Sequence, residues 1–172
     1  ALNGGALATG LKITYEILFE PRWQAMIDHL LARGDIRFIH LTRRNGLRRY
    51  VSEQVLYAGG PNHSGAGGRS ELAVQVEVDI DAFLARETEI ASDRARVDAL
   101  ISNRPVLELS YEELAADIVS GIARTCAFLD PAIDASGVRP ALEKVGAADL
   151  AQTVSNVKEL LEHPATRGLV TA

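Results

Sequence analysis

The residues of this chain best suited to chemistry are four arginines within a stretch of seven residues: Arg43, Arg44, Arg48 and Arg49. Before them, the β-branched and aromatic residues of 36–41 predict a short buried strand. After them, apolar residues at helical spacing predict a helix that ends near Ala58. Ligands of parallel α/β sheets bind at the carboxyl ends of strands, and a helix N-terminus adds N–H groups and a positive dipole end. The arrangement therefore predicts an anion site.

Arginine is well suited to a phosphate ligand because its planar fork donates two parallel hydrogen bonds and is not deprotonated. Ser52 lies eight residues beyond Arg44. That spacing is about two turns and roughly 12 Å of helix, so only a long side chain folding along the helix could bring both to one phosphate. The alternative is a solvated helix face with salt bridges to acids. Arg49 and Glu53 have the i, i+4 spacing for one such pair.

Composition limits the class of protein. The chain has 172 residues, 47% hydrophobic and 24% charged, and its 18 Lys+Arg against 23 Asp+Glu give a net charge of −5. These values are typical of one soluble domain, and the acidity argues against general nucleic-acid binding. A single cysteine, Cys126, excludes an internal disulfide and favours a reducing, cytoplasmic location. No apolar stretch approaches the roughly 20 residues of a bilayer span, so we expect none.

Hydrophobic periodicity predicts the remaining elements. Two helical pieces are expected on either side of Pro21, and the glycine-rich segment 59–73 is expected to be a flexible surface loop. The elements expected after it are an extended segment 74–80, a helix capped by Asp79 or Asp81 that runs to about Ser102, a strand 106–110, a helix 112–129 and a last helix 149–162. Strands separated by helices predict a parallel α/β sheet. Two strands are too few for such a sheet, so we expect further strands before residue 1 or within 1–15.

The segment that contains the arginines resembles a known family. Residues 37–52, RFIHLTRRNGLRRYVS, run from a strand into Arg-Asn and reach a serine eight residues after Arg44. This resembles the segment of sulfotransferases, particularly bacterial members acting on carbohydrates or small molecules, that binds the 3′-phosphate of 3′-phosphoadenosine 5′-phosphosulfate (PAPS). Three further segments resemble the family in the same order: GLKITY at 10–15, VLELSYEEL at 106–114 and VSNVKEL at 154–160.

The resemblance implies an α/β, P-loop-NTPase-like three-layer fold with helices flanking a parallel sheet, and residues 1–172 as the C-terminal part of a single domain that is incomplete at its N-terminus. It implies metal-independent transfer of a sulfuryl group from PAPS to a hydroxyl or amine of a carbohydrate, lipid or other small acceptor, with adenosine 3′,5′-bisphosphate (PAP) as product. Arg44 and Ser52 would hold the 3′-phosphate. Tyr111 would lie near the adenine, and its alternative is a core tyrosine with a hydrogen-bonded hydroxyl. A homodimer is left open.

The chain departs from the family at two functional positions. Nothing in residues 1–20 resembles the family's Lys/Arg-Ser-Gly-Thr loop, which grips the 5′-phosphosulfate. No general base is identifiable either. His40 lies inside the predicted strand and is expected to be a hydrogen-bonded core histidine. The other residues considered for the base, none of them assigned, are His29, His63, His163, Glu16 and Glu20.

Two other classes of protein stand as alternatives. One is a truncated or degenerate, non-catalytic sulfotransferase-like module that binds a nucleotide or only dimerises. A Lys/Arg-Ser-Gly-Thr loop just upstream in the full reading frame would favour the enzyme over this module. The other is a P-loop kinase relative, which is disfavoured because the sequence has no Gly-x4-Gly-Lys-Ser/Thr and no evident acidic Mg²⁺ ligand at a strand end.

Overall fold

The structure is a computed structural model that describes residues 9–59, 64–65, 74–138, 142–143 and 149–171. The chain is an α/β protein with a two-stranded parallel sheet flanked by helices. It divides into two compact units, which we describe separately: Ala1–Thr42 with Ala91–Val138, and Arg43–Ile90 with Arg139–Ala172. No helix in the described part of the chain is both long and apolar enough to cross a membrane.

The helices and strands follow the predicted order. The helices are α1 (Tyr15–Leu18), α2 (Gln24–Ala32), α3 (Gly46–Tyr57), α4 (Ile80–Ile101), α5 (Tyr111–Ala116), α6 (Ile118–Leu129), α7 (Val157–Glu162) and α8 (Arg167–Val170). The strands are β1 (Phe38–Thr42), β2 (Ser64–Gly65), β3 (Val106–Ser110) and β4 (Leu142–Glu143). A 3-10 turn at Pro21–Trp23 separates α1 from α2, so the prediction of two helical pieces around Pro21 is confirmed.

The sheet of the first unit joins β1 to β3 in parallel, with His40 opposite Glu108 in the register. The two strands and their order confirm the sequence prediction, but the expectation that the whole of 36–41 is buried is wrong. Side chains alternate between the two faces of a strand. In β1 this alternation leaves His40 only 6% exposed, whereas Ile39 and Leu41 are 40% and 53% exposed. The buried residue at the centre of the strand is therefore the histidine.

The single helix predicted over 112–129 is instead two helices. The break is at Asp117, whose backbone is extended (φ −149°, ψ 86°) and whose carboxylate accepts a hydrogen bond from Ser120 N. An aspartate that caps a new helix competes with continuation of the preceding one, which the apolar periodicity alone does not reveal. Gly121 lets the two helices approach, because a Cβ there would lie 2.2 Å from Leu114 Cδ2.

The second unit has its own hydrophobic core. Its buried members come from α3, the extended segment 74–79, α4 and the C-terminal region: Leu47, Tyr50, Val51, Val76, Val78, Phe83, Leu150, Val154 and Leu160. Burial raises the pKa of Tyr50, and the nearby charges of Asp79 and Glu53 raise it further. The predicted alternation over 74–80 is confirmed, since the valines are buried or half-buried and the polar residues between them are exposed. Helix α4 begins at Ile80, and of the two caps predicted for it, Asp79 accepts a hydrogen bond from Ala82 N.

The last predicted helix, 149–162, is wrong over its first half. Residues Leu150–Gln152 form a 3-10 turn, Val154 pairs with Val76 as an isolated parallel bridge, and α7 begins only at Val157. The Asn156 side chain bonds both backbone groups of Val78, at 3.0 Å each. After this turn, the Thr153 and Ser155 backbones bond to Val76 and the Asn156 side chain bonds to Val78, so no helix continues through the segment.

The glycine-rich segment 59–73 lies mostly outside the described residues. Gly59 closes α3 with a positive φ of 82°, a conformation that favours glycine. Ser64–Gly65 forms a two-residue antiparallel pair with Leu142–Glu143. The flexibility predicted for the remainder of the segment concerns residues that are not described.

Candidate functional site

The arginine turn, which we define as residues 43–49, connects the end of β1 to the first turn of α3. Asn45 fixes its geometry from a buried position. The Asn45 side chain accepts a hydrogen bond from Arg48 N at 2.9 Å, which caps α3, and donates one to Leu169 O at 2.8 Å. Leu169 in turn packs against the core of the second unit. Asn45 therefore ties the turn both to α3 and to a residue anchored on that core. Asn45 thus occupies the N-cap position of α3, where asparagine is among the favoured residues.

Arg43, the neighbour of the predicted Arg44, reaches Ser52. Arg43 Nη1 donates to Ser52 Oγ at 3.1 Å, and Ser52 Oγ donates in turn to Arg48 O at 2.8 Å. An arginine of the turn thus folds along the helix to Ser52, across a separation of nine residues instead of the eight between Arg44 and Ser52. Arg44 is exposed. The exposed arginine and the Arg43–Ser52 pair both belong to the second unit.

Arg49 forms salt bridges with acids of the protein, as the alternative interpretation of the arginines, a helix face with salt bridges, predicts. It donates to Glu53 at i+4 and to Glu87 from α4, and Arg86 lies 3.5 Å from the other oxygen of Glu53. Gly46 permits this arrangement, because a Cβ there would lie 1.9 Å from Glu87 Oε2. A carboxylate at the first turn of a helix interacts favourably with the dipole. The N-terminus of α3 is therefore adjacent to an acid of the protein itself, which leaves the arginine side chains as the part of the turn suited to an external anion.

Tyr111 lies in the first unit, as the first residue of α5 directly after β3, and is half-buried. Ser110 and Glu113 form a reciprocal capping box at this junction, with both bonds at 3.2 Å. The capping carboxylate is that of Glu113. The junction is therefore a tightly specified strand-to-helix turn that fixes the backbone of Tyr111.

A second cluster, which the sequence analysis did not single out as a site, surrounds His40 in the first unit. The Tyr15 hydroxyl lies 2.6 Å from His40 Nε2. On the other side of the ring, Nδ1 lies 2.9 Å from Glu108 Oε1 and 3.4 Å from Asp98 Oδ1. The expectation of a hydrogen-bonded core histidine is confirmed. The register of β1 and β3 places His40 opposite Glu108. Nothing in the sequence pattern indicates that Asp98 joins them.

Tyr15 is half-buried at this cluster. Burial raises the pKa of its hydroxyl, the positive charge of Arg94 opposes that shift, and the charges of Asp98 and Glu108 add to it. An ionised carboxylate can only accept, so Nδ1 donates to Glu108. In the tautomer with its proton on Nδ1, Nε2 accepts from the Tyr15 hydroxyl. The cluster is thus a chain of a hydroxyl, an imidazole and two carboxylates, a donor set that could also hold a metal ion.

The other residues considered as a general base have ordinary surroundings. His29 and Glu16 are exposed, and His163 is half-buried and follows α7. Glu20 forms an ion pair with Arg22 at 2.6 Å. His63 lies outside the described residues.

Comparison with known proteins adds no assignment: no protein family, curated protein or solved structure matches the chain. The function must therefore be argued from the residues of this chain and their geometry.

Proposed function

We propose that the chain is part of a PAPS-dependent sulfotransferase and that its arginine turn binds the 3′-phosphate of the nucleotide. The observation that carries the proposal is the hydrogen bond from Arg43 to Ser52, with the exposed Arg44 next in sequence. The capped start of α3 holds both arginines on one short turn. The resemblance of residues 37–52 to the 3′-phosphate segment of the family supports the same role for Arg44 and Ser52.

The chemistry of a phosphate monoester matches this arrangement. Two arginine forks can each donate a pair of hydrogen bonds, and a serine hydroxyl adds a further donor once it turns from its present acceptor, Arg48 O. Glu87 lies against Gly46, so we assign the phosphate to the Arg43, Arg44 and Ser52 side chains and not to the first-turn N–H groups of α3. Arg49, already paired with Glu53 and Glu87, is not assigned to the ligand.

In the proposed reaction an acceptor hydroxyl or amine of a carbohydrate, lipid or other small molecule attacks the sulfur of PAPS. The bond from sulfur to the bridging phosphate oxygen breaks, and PAP leaves with the bridging oxygen while the acceptor loses its proton. The arginine turn acts at the far end of the nucleotide, where it contributes binding and orientation. We further propose that β1 and β3 are strands of a P-loop-like parallel sheet.

Calorimetric titration of the whole chain with three nucleotides tests the proposal. We expect adenosine 3′,5′-bisphosphate to bind about 10- to 150-fold more tightly than adenosine 5′-monophosphate, the effect of about 1.5–3 kcal/mol expected for hydrogen bonds to a charged group. Adenosine 2′,5′-bisphosphate, which has the same charge in a different position, is the matched control and should bind more weakly than the 3′,5′ isomer. Equal affinity for all three nucleotides would refute a 3′-phosphate site.

A further inference from the structure

The His40 cluster brings together donor atoms from three elements of the first unit. His40 belongs to β1, Glu108 to β3 and Asp98 to α4. The imidazole is almost completely buried, whereas the side chains of Asp98 and Glu108 are 50% and 56% exposed. The cluster therefore has a fixed, buried nitrogen and two oxygens at the solvent boundary. This combination differs from a patch of surface acids, because one member is immobilised by the fold.

The distances between the donor atoms match those around a single small cation. Transition-metal ions bind imidazole nitrogen and carboxylate oxygen at about 2.0–2.2 Å. Two ligands at that radius are about 3.0 Å apart at an octahedral angle and about 3.4 Å apart at a tetrahedral angle. Nδ1 lies 2.9 Å from Glu108 Oε1 and 3.4 Å from Asp98 Oδ1. All three atoms lie within 4.8 Å of one another. Both separations from Nδ1 are therefore those expected between two ligands of one ion.

The charges of the cluster favour a cation. Nδ1 offers one proton, yet two carboxylates face it. In the described part of the chain, the only ion-pair partner of the Glu108 carboxylate is His40, and Asp98 has in addition Arg94 at 3.7 Å. With the ring neutral, the two carboxylates and Arg94 together leave an excess of one negative charge. A divalent ion would neutralise this excess at the point where the two carboxylates converge.

Tyr15 has the chemistry of an outer partner for a metal-bound histidine. A ligand nitrogen cannot carry a proton, so a metal at Nδ1 requires the ring proton on Nε2. The Tyr15 hydroxyl lies 2.6 Å from Nε2. A phenolic hydroxyl both donates and accepts hydrogen bonds, so it can accept one from Nε2–H here and donate one to Nε2 in the metal-free tautomer. Metal-binding histidines usually make such a bond with their second nitrogen, and it fixes the tautomer and the ring orientation.

We propose that His40 Nδ1, Asp98 and Glu108 form a binding site for a divalent first-row transition metal ion. One imidazole with two carboxylates is a donor set for ions such as Zn²⁺, Mn²⁺, Fe²⁺ and Co²⁺. Three protein ligands leave the remaining coordination positions to water at the exposed side of the cluster. The site lies wholly in the first unit, and it does not depend on the proposed nucleotide site in the second.

Titration of the metal-free whole chain with Co²⁺, followed by visible absorption and by calorimetry, tests the site. We expect saturation at one equivalent, with a Kd raised at least tenfold in Glu108→Gln and in Asp98→Asn, because each loses a charged ligand. Both substitutions are at half-exposed positions, and far-UV circular dichroism should show that the fold is retained. The matched control is Asp93→Asn on α4, which loses a carboxylate paired with Arg96 and should leave the Kd of the wild type unchanged.

Tyr15→Phe separates a metal site from a hydrogen-bond network. The variant keeps the ring but loses the outer-shell hydroxyl, and we expect about a tenfold increase in the Kd for Co²⁺. Failure of the wild-type chain to bind one equivalent would overturn the proposal. So would binding of equal affinity in Glu108→Gln and Asp98→Asn, because the Co²⁺ would then occupy other residues and the cluster would be a hydrogen-bond network only.

Discussion

Replacement of Phe83 by alanine is expected to lower the free energy of unfolding by about 3–5 kcal/mol. Phe83 is 1% exposed and packs edge-to-face on Tyr50, with ring centroids 5.6 Å apart. The substitution removes the buried ring and leaves a cavity between α3 and α4 in the second unit, which the surrounding side chains fill only in part. Urea unfolding followed by far-UV circular dichroism measures the loss.

Leu84→Ala is the matched control for this core prediction. Leu84 is the next residue of α4 but is 36% exposed. Its truncation is expected to cost less than about 1 kcal/mol, because it removes little buried surface from a helix in which alanine is favourable. Equal losses for Phe83→Ala and Leu84→Ala would contradict the position of α4 against α3.

Arg49→Ala is expected to lower the free energy of unfolding by about 1.5–3 kcal/mol, the scale of a hydrogen bond to a charged group. The arginine joins Glu53 on its own helix to Glu87 on α4, and its loss leaves two partly buried carboxylates facing each other. Arg86, at 3.5 Å from Glu53, would compensate only in part. Chemical denaturation of the variant measures the effect.

Two further variants separate this role from a general effect of the arginine cluster. Arg49→Lys should recover only part of the stability, because an ammonium lacks the planar fork that serves both carboxylates. Arg44→Ala, at an exposed position, should change the free energy of unfolding by no more than about 0.5 kcal/mol. If Arg44→Ala and Arg49→Ala were equally destabilising, the assignment of a structural role to Arg49 and a ligand-binding role to Arg44 would be wrong.

The sequence predicts the fold where one physical signal dominates. The β-branched strands around His40 and at 106–110, and the long helix α4, follow directly from periodicity and are found within two residues of the predicted bounds. The sequence fails where a polar side chain redirects the backbone. Asp117 starts a new helix within an uninterrupted apolar pattern, and Asn156 holds the chain on Val78 in a segment whose periodicity is helical.

The site could be predicted only in part for a similar reason. The arginine turn is visible in the sequence because its residues are neighbours. Which arginine reaches Ser52 depends on side-chain rotamers, and the structure gives this contact to Arg43. The His40 cluster unites residues that are 25, 58 and 68 positions apart in the chain, and only the pairing of β1 with β3 and the packing of α1 and α4 bring them together.

Calorimetric titration of Arg44→Ala with adenosine 3′,5′-bisphosphate tests the central proposal, that the arginine turn holds a 3′-phosphate, most directly. Loss of one charged hydrogen-bond donor should weaken binding by about 1.5–3 kcal/mol, or about 10- to 150-fold in Kd. Arg22→Ala removes the same charge from an exposed arginine paired with Glu20, and its affinity should equal that of the wild type. An unchanged Kd in Arg44→Ala would contradict the assignment of Arg44 to the phosphate.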